Sequence, residues 1–259
     1  MTELKLETEQ LVEFEKKTKI LIKKAGGLIL NSFNTNKSLI KKDIRDVASE
    51  TDVFVEDIIK KELSAIFPDA GFIMEEHVSD EQSDYNWVID PIDGTKNYVA
   101  LAPYFFTQLA LIYRGKPILS EIYQPVSDQL FSAIKGNGAY LNGNKIEAKC
   151  RISAKESIID VDFRGSEDSN LKLPIFNKLV ANFYRVRSSG GMYSPYLVTG
   201  AFDAYVDLFR TSKFFDILPR ILIFEESGLE VKEIELIPGK KILITAKPEL
   251  VKEIEKIII

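Results

Sequence analysis

A chain of 259 residues with 45% hydrophobic side chains can bury a large core, as one big domain or two fused halves. Its 34 basic and 39 acidic residues are interspersed and leave a net charge of −5, so no basic tract supports binding to a nucleic-acid backbone. The single cysteine, Cys150, rules out an intramolecular disulfide framework. The start, Met1 to Gln10, is polar and acidic, unlike a signal peptide, and no apolar run approaches the ~20 residues of a membrane span. A cytoplasmic setting without membrane contact is expected.

The three-four spacing of Leu11, Phe14, Thr18, Leu21 and Ile22 predicts a long amphipathic helix over Thr8 to Phe33. Gly26 and Gly27 interrupt it, and either permit close packing or mark a bend. The charged stretch Lys41 to Val47 suits a solvated hairpin. Ser49-Glu50-Thr51-Asp52 then opens a second helix with apolar positions from Val53 to Ile66. Ser49 or Thr51 suits its N-cap, and Asp52 its first turn, where the dipole favours an acid. Pro68 to Gly71 is a turn and Phe72 to Met74 a short buried strand, with Glu75-Glu76-His77 at its tip. His77 is expected at the surface or beside the site, because carboxylates around a hard cation need no imidazole.

The apolar run Trp87-Val88-Ile89 leads into Asp90-Pro91-Ile92-Asp93-Gly94-Thr95. The strand is expected to end where the carboxylates begin, standing both acids at the mouth of a sheet, where ligands bind. Pro91 fixes a backbone angle and removes a donor, which holds the relative aim of Asp90 and Asp93. Gly94 allows close approach of a ligand to the backbone. Thr95 offers a hydroxyl at a helix start, where N–H groups attract an anion. Hard oxygen ligands suit Mg2+, commonly held by one or two carboxylates plus substrate phosphate. The competing reading is a solvated turn between strand and helix, since Asp, Pro and Gly all favour turns for local reasons.

Downstream, Phe106 to Arg114 and Pro117 to Gln124 are predicted as consecutive strands, and Gln129 to Ile134 with Ala139 to Leu141 as a hairpin, which makes the first half an antiparallel meander. Past Cys150 strands and helices alternate. The predicted elements are a strand over Ile158 to Phe163, a helix over Leu173 to Phe183 and a strand over Arg185 to Arg187. The small-residue loop Ser188 to Gly191 opens a helix carrying Tyr196 and Leu197, and a strand covers Phe202 to Leu208. A helix N-capped by Asp216 follows, with Pro219 in its first turn. Lys241 to Ala246 and Glu249 to Glu255 form a final strand and helix.

Asp90 to Thr95 resembles the first signature of the inositol monophosphatase family, the metal-dependent sugar phosphatases that also include fructose-1,6-bisphosphatases. The likeness extends over about Thr8 to Ile254. Glu75-Glu76 matches the family's Gly-Glu-Glu motif, with Met74 replacing the glycine. Arg187, Ser188 and Gly190 match Arg-Ser-x-Gly-[Ser/Thr], with Gly191 lacking the last hydroxyl. Asp203-Ala204-Tyr205 to Asp207 is similar to the family's Asp-Ala-Tyr strand, whose later acid contacts sugar. Phe215-Asp216-Ile217-Leu218-Pro219 stands where the family has Trp-Asp-x-Ala-[Ala/Gly]. The span from Asp207 to Asp216 is longer than in the animal inositol enzymes and looks like the archaeal members that act on both inositol phosphate and fructose bisphosphate.

The resemblance implies a layered αβαβα sandwich of the sugar phosphatase type. An α+β half over 1–150 would carry the metal motif, and an α/β half over 151–259 would complete the cleft. It further implies Mg2+-dependent hydrolysis of a small sugar or polyol phosphate by a homodimer or homotetramer. Two or three Mg2+ would sit on Glu75, Asp90, Asp93, Asp216 and the Ile92 carbonyl. Thr95, oriented by Asp52, would activate water, while Asp93, Gly94, Thr95, Arg187, Gly190, Met192, Asp207 and Arg210 would meet substrate. Lys41, the loop aspartate Asp46 and Glu76 would lie beside this centre. The alternatives are a nucleotidase acting on adenosine 3′,5′-bisphosphate, or a non-catalytic protein binding metal or sugar phosphate. The second draws on the departures at Met74, Gly191, Phe215 and Pro219.

Overall fold

The structure, a computed structural model, describes residues 6–33, 39–41, 47–77, 83–165, 167–209 and 213–259, with backbone alone at 39–41 and 47–49. The side chain of Lys41, and Asp46 and Arg210 entirely, lie outside the described residues. The chain forms two compact units, Met1–Asn144 with Phe215–Ile223 and Lys145–Phe214 with Phe224–Ile259. No described helix is long and apolar enough to cross a membrane.

In the first unit, helix α1 (Thr8–Phe33) has the predicted bounds. Strands β1 (Leu39–Lys41) and β2 (Val47–Ser49) pair antiparallel, and α2 (Glu50–Ile66) follows at once. Then come β3 (Gly71–Met74), β4 (Tyr85–Asp93), the one-turn helix α3 (Thr95–Val99), β5 (Phe106–Tyr113), β6 (Lys116–Gln124), β7 (Gln129–Ile134), β8 (Gly138–Leu141) and β9 (Asn144–Ile146), whose first residue is the last of this stretch of the unit. These seven strands form one sheet in chain order. It is antiparallel from β4 to β8, with β3 added parallel to β4.

Two-residue alternation buries both faces of that sheet. Trp87, Ile89, Leu109, Leu111 and Leu119 share a core with Leu21, Ile22 and Ile29 of α1 and Val55 and Ile59 of α2. Val88, Ala110 and Ile112, of opposite parity, pack with Phe215, Leu218 and Ile221. The returning segment 215–223 is therefore the cover of the second face, and whatever it carries beyond its apolar stripe is held against that face.

The paired glycines of α1 have separate explanations. A Cβ on Gly26 would run into the Tyr123 ring and come within 3.2 Å of the Pro125 Cβ, so this glycine lets α1 close onto β6. Gly27 has nothing among the described residues within 4 Å of such an atom. Close packing, not a bend, accounts for the first, and the structure gives no reason for the second.

Glu121 of β6 is fully buried, accepts a 2.7 Å hydrogen bond from the Thr18 hydroxyl of α1, and has no partner for Oε2 among the described residues. Burial pushes its carboxyl from the ordinary 4.5 up to about 8, against the opposing pull of the Thr18 hydrogen bond. Between these two values the folded protein keeps a proton that the unfolded chain has lost, so stability is full below the lower value and falls as pH rises through the window. Glu121→Gln is expected to flatten this slope and to be the more stable protein at pH 8. Urea melts of both proteins at about pH 5 and 8 check it, and parallel slopes would contradict it.

The second unit contains β10 (Ile158–Asp162), α4 (Ser169–Asn182), β11 (Arg185–Arg187), β12 (Ala204–Asp207), the ends of α5 (Phe214–Glu226), β13 (Glu230–Ile237), β14 (Lys240–Ala246) and α6 (Pro248–Ile258). Its sheet has the order β11-β10-β12-β14-β13. Strand β10 is parallel to β11 and β12, while β14 runs antiparallel to β12 and β13. Ile159, Val161, Val206 and Ile244 pack with Leu179 of α4 and Leu250, Val251 and Ile254 of α6.

Four expectations are corrected. Strand β4 runs through Asp93 instead of stopping before Asp90. The helix expected at Tyr196 is a six-residue 3-10 turn, Ser194–Thr199, started near Pro195 and stopped by Gly200 at φ 76°. Helix α5 begins at Phe214, so Asp216 lies in its first turn and is not the N-cap, and Pro219 falls inside the helix. There Pro219 cannot donate to the carbonyl four residues back, a cost offset by burying the Phe215-Leu218-Ile221 stripe. Strand β13 was not expected, because its Glu-Val-Lys-Glu-Ile-Glu run is mostly half-exposed and charged, as edge strands commonly are.

Candidate active site

The aim of Asp90 and Asp93 comes from a defect in the ladder. Asp90 pairs with Gln108 and Asp93 with Phe106, so three steps on β4 match two on β5. Two residues three apart on a regular strand point to opposite faces; one extra residue restores them to the same side. Ile92 accordingly turns into the core beneath α1 and α2, beside Ile89. Pro91 occupies the bulge, where a missing N–H costs no ladder bond. Gly94 follows with φ 92°, a left-handed conformation that favours glycine.

Over this face α5 lays Asp216 and Arg220, four residues apart and thus on one side of the helix. Asp90, Asp93 and Asp216 each present a carboxylate oxygen, all within 4.8 Å of one another. Asp90 is fully buried, and among the described residues its Oδ1 has no hydrogen-bond partner. Burial foremost, then the Glu75, Asp93 and Asp216 carboxylates, push its carboxyl well above the usual range. An orphaned carboxylate oxygen among like charges is costly without a compensating cation. The donor set is all oxygen, so these residues fit a hard divalent ion.

Glu75 is held by a residue that the motifs do not mark. Glu56 of α2 is fully buried, and its Oε1 accepts the backbone N–H groups of Glu75 at 2.9 Å and Glu76 at 3.1 Å. Its Oε2 lies 2.6 Å from His77 Nδ1, so His77 pairs with Glu56. Met74, where the resemblance has glycine, is simply buried in the α1/α2 core.

Thr95 and Asp52 are brought together. Thr95 Oγ1 lies 3.0 Å from Asp52 Oδ1 and 2.9 Å from the Ile92 carbonyl, and its single proton serves one acceptor at a time. Asp52 is fully buried. The turn is tied further by the Tyr98 hydroxyl, which donates to Thr51 Oγ1 at 3.3 Å.

In the second unit, the remaining candidates gather at the carboxyl ends of parallel strands, the usual ligand position in such sheets. Asp207 ends β12 in register with Asp162 of β10, and both are buried. Arg164 Nε donates to both Asp162 oxygens, at 3.0 and 2.9 Å, holding its guanidinium at the strand end. Asp160 accepts the Ser189 N–H at 2.8 Å and hydroxyl at 2.5 Å, which fixes the Ser188 to Gly191 loop. Gly190 has φ 66°, and a Cβ there would meet Arg164 Cδ at 2.9 Å. Arg187 is exposed, 5.6 Å from the Phe202 ring, whereas Met192 is buried. Sequence reasoning missed Glu56, Gln108, Asp160, Arg164 and Arg220, which carry no motif and acquire meaning only from their partners.

Residues 10–256 match the inositol monophosphatase family. The chain is 31% identical to the fructose-1,6-bisphosphatase/inositol-1-monophosphatase of Aquifex aeolicus over 233 residues, covering 85% of each chain. It is 32% identical to Nus factor SuhB of Xylella fastidiosa over 210 residues, 79% of this chain and 76% of that protein. Among solved structures, the extragenic suppressor protein suhB of Bartonella henselae superposes with a TM-score of 0.86 at 25% identity, covering 94% of this chain and 97% of that one. This is the α+β layered sandwich that the motif resemblance implies. With the family matched over almost the whole chain, this protein belongs to the inositol monophosphatase family of phosphatases.

Proposed function

We propose that this chain is a Mg2+-dependent phosphomonoesterase acting on a small sugar or polyol phosphate, with inositol 1-phosphate and fructose 1,6-bisphosphate as the leading substrates. The observation that carries this is the carboxylate cluster of Asp90, Asp93 and Asp216, with an unpaired buried oxygen on Asp90. Glu75, Asp90, Asp93, Asp216 and the Ile92 carbonyl would hold the metal. When bound, Mg2+ supplies a Lewis acid that offsets phosphate charge and makes a bound water more acidic.

The chain's own residues do the rest. Thr95 Oγ1 would take a proton from the attacking water while passing its own hydroxyl proton to Asp52, 3.0 Å away. The water oxygen bonds to phosphorus as the ester P–O bond breaks, and the leaving alkoxide takes its proton from solvent. The Gly94 and Thr95 N–H groups are the proposed phosphate contacts. The left-handed Gly94 supports this more than the helix dipole does, since α3 has a single turn. Arg187, Gly190, Met192, Asp207 and Arg210 are proposed to meet the sugar. Positioned charge supplies most of the acceleration in such displacements.

Phosphate release in Mg2+ across inositol 1-phosphate, fructose 1,6-bisphosphate and adenosine 3′,5′-bisphosphate tests the reading. Highest kcat/KM on a sugar or polyol ester is expected. A clear preference for the adenosine compound would replace it with a nucleotidase. No release from any of them would favour a binding protein, a second reading supported by the relatives named Nus factor.

A further inference from the structure

Arg220 is among the largest fully enclosed side chains of the protein, 2% exposed, and its charge is buried at the metal cluster. Its guanidinium forms an ion pair with Asp93. Its Nε donates to Gln108 Oε1 at 3.2 Å, and Gln108 Nε2 donates to Asp90 Oδ2 at 3.4 Å. The Gln108 amide has one orientation that satisfies both neighbours, oxygen toward the guanidinium and nitrogen toward the carboxylate. Arg220 is thereby linked to both β4 aspartates, to one directly and to the other through a fully buried amide. A guanidinium does not deprotonate in a protein, so this positive charge is permanent.

Charge bookkeeping then separates this centre from one made of carboxylates alone. Glu75, Asp90, Asp93 and Asp216 carry four negative charges, which two divalent ions balance. With Arg220 the sum is −4 + 1 = −3. One divalent ion leaves −1, and a second would bring the centre to +1 against a fixed, desolvated cation. Interactions between charges are strongest in such a dry setting.

We propose that Arg220 is a built-in counter-cation that takes the place of one metal ion at Asp93, so that the centre binds a single divalent ion tightly. This rests on the metal-dependent phosphatase reading and deepens it. Asp93 is then shared, one oxygen paired with Arg220, and the ion is held by the Asp90, Asp93 and Asp216 cluster with Glu75 beside it. The guanidinium also fixes the Asp93 carboxylate before any ion arrives, which keeps the geometry of the centre in the metal-free protein.

The test counts ions without using turnover. Mn2+ is titrated into wild-type protein, Arg220→Gln and Arg220→Lys, with free and bound Mn2+ read by electron paramagnetic resonance. Wild type and Arg220→Lys are expected to bind one Mn2+ tightly. Arg220→Gln is expected to bind a second at least ~10-fold more tightly than wild type does, with the broadened signal of two neighbouring ions. Thermal melts beside each titration establish that the variants are folded, and Arg220→Lys keeps the charge where Arg220→Gln leaves Asp93 unpaired. Two tight ions in wild type would overturn this proposal alone and leave the phosphatase reading standing, whatever the variants do. Folded Arg220→Gln with the wild-type count and affinities would also overturn it. No Mn2+ bound by any folded form would overturn the metal-dependent reading and this one together.

Discussion

Asp90→Asn is expected to lower turnover by at least about 10³-fold while raising the melting temperature of the metal-free protein. The two effects have one cause. Without metal, the buried Asp90 carboxyl faces Glu75, Asp93 and Asp216, and its affinity for a proton is raised by burial and by those charges. The unfolded chain loses that proton above about pH 4, whereas the folded chain keeps it to higher pH. Stability therefore declines as pH rises from that point. Asparagine keeps the shape, still accepts from Gln108, and has no charge to bury. The melting difference between variant and wild type in chelator should widen from about pH 4 upward. Adding Mg2+ should reverse the order, because a ligand that binds only the native protein stabilises it and the variant has lost that ligand site. Equal melting temperatures across pH would contradict the proposed electrostatics. Turnover near the wild-type rate would contradict the metal site.

Asp93→Asn, although isosteric as well, is the poorer probe. It removes the carboxylate that pairs with the buried Arg220 guanidinium, and breaking a buried pair from one side commonly costs about 3–5 kcal/mol. Loss of activity in that variant mixes loss of the metal site with loss of the fold. The partner on α5 decides which aspartate is informative.

The contrast between Asp93 and Arg220 shows what was legible in the sequence. Local patterns sufficed for α1, whose three-four spacing marks both ends, and for the hairpins of the first sheet, whose turns carry glycine and asparagine. The β4 carboxylates of the candidate site stood out in the sequence as residues, because Asp90 to Thr95 is a dense motif. Their common aim was not, because pleat parity places residues three apart on opposite faces, and only the bulge at Pro91 brings them together. Arg220 and Glu56 read as ordinary helix charges, each meaningful only through partners more than fifteen residues away. Strand β13 escaped notice for the opposite reason: its edge position lets charge replace the apolar alternation by which strands are recognised.

Thr95→Ala is expected to lower kcat by about 10²-fold or more, the scale of a positioned proton transfer, with KM and Mg2+ affinity nearly unchanged. A capping role alone would predict a loss of about 1 kcal/mol of stability and none of chemistry. The geometry distinguishes the two. Thr95 Oγ1 lies against Asp52 Oδ1 on a different helix and against the Ile92 carbonyl behind it, instead of reaching forward to cap α3. Thr95→Ser keeps the hydroxyl and should stay active. Asp52→Asn removes the charge that draws the Thr95 proton and should resemble Thr95→Ala. The double variant should cost much less than the sum of the two, since groups that act as one unit are not additive. Burial complicates only stability here: Asp52 is fully enclosed, so melts must accompany the kinetics, and kcat is compared among proteins folded at the assay temperature. Strictly additive losses in this cycle would show that the pair does not work together, and Asp52 would then be a first-turn acid placed by the α2 dipole.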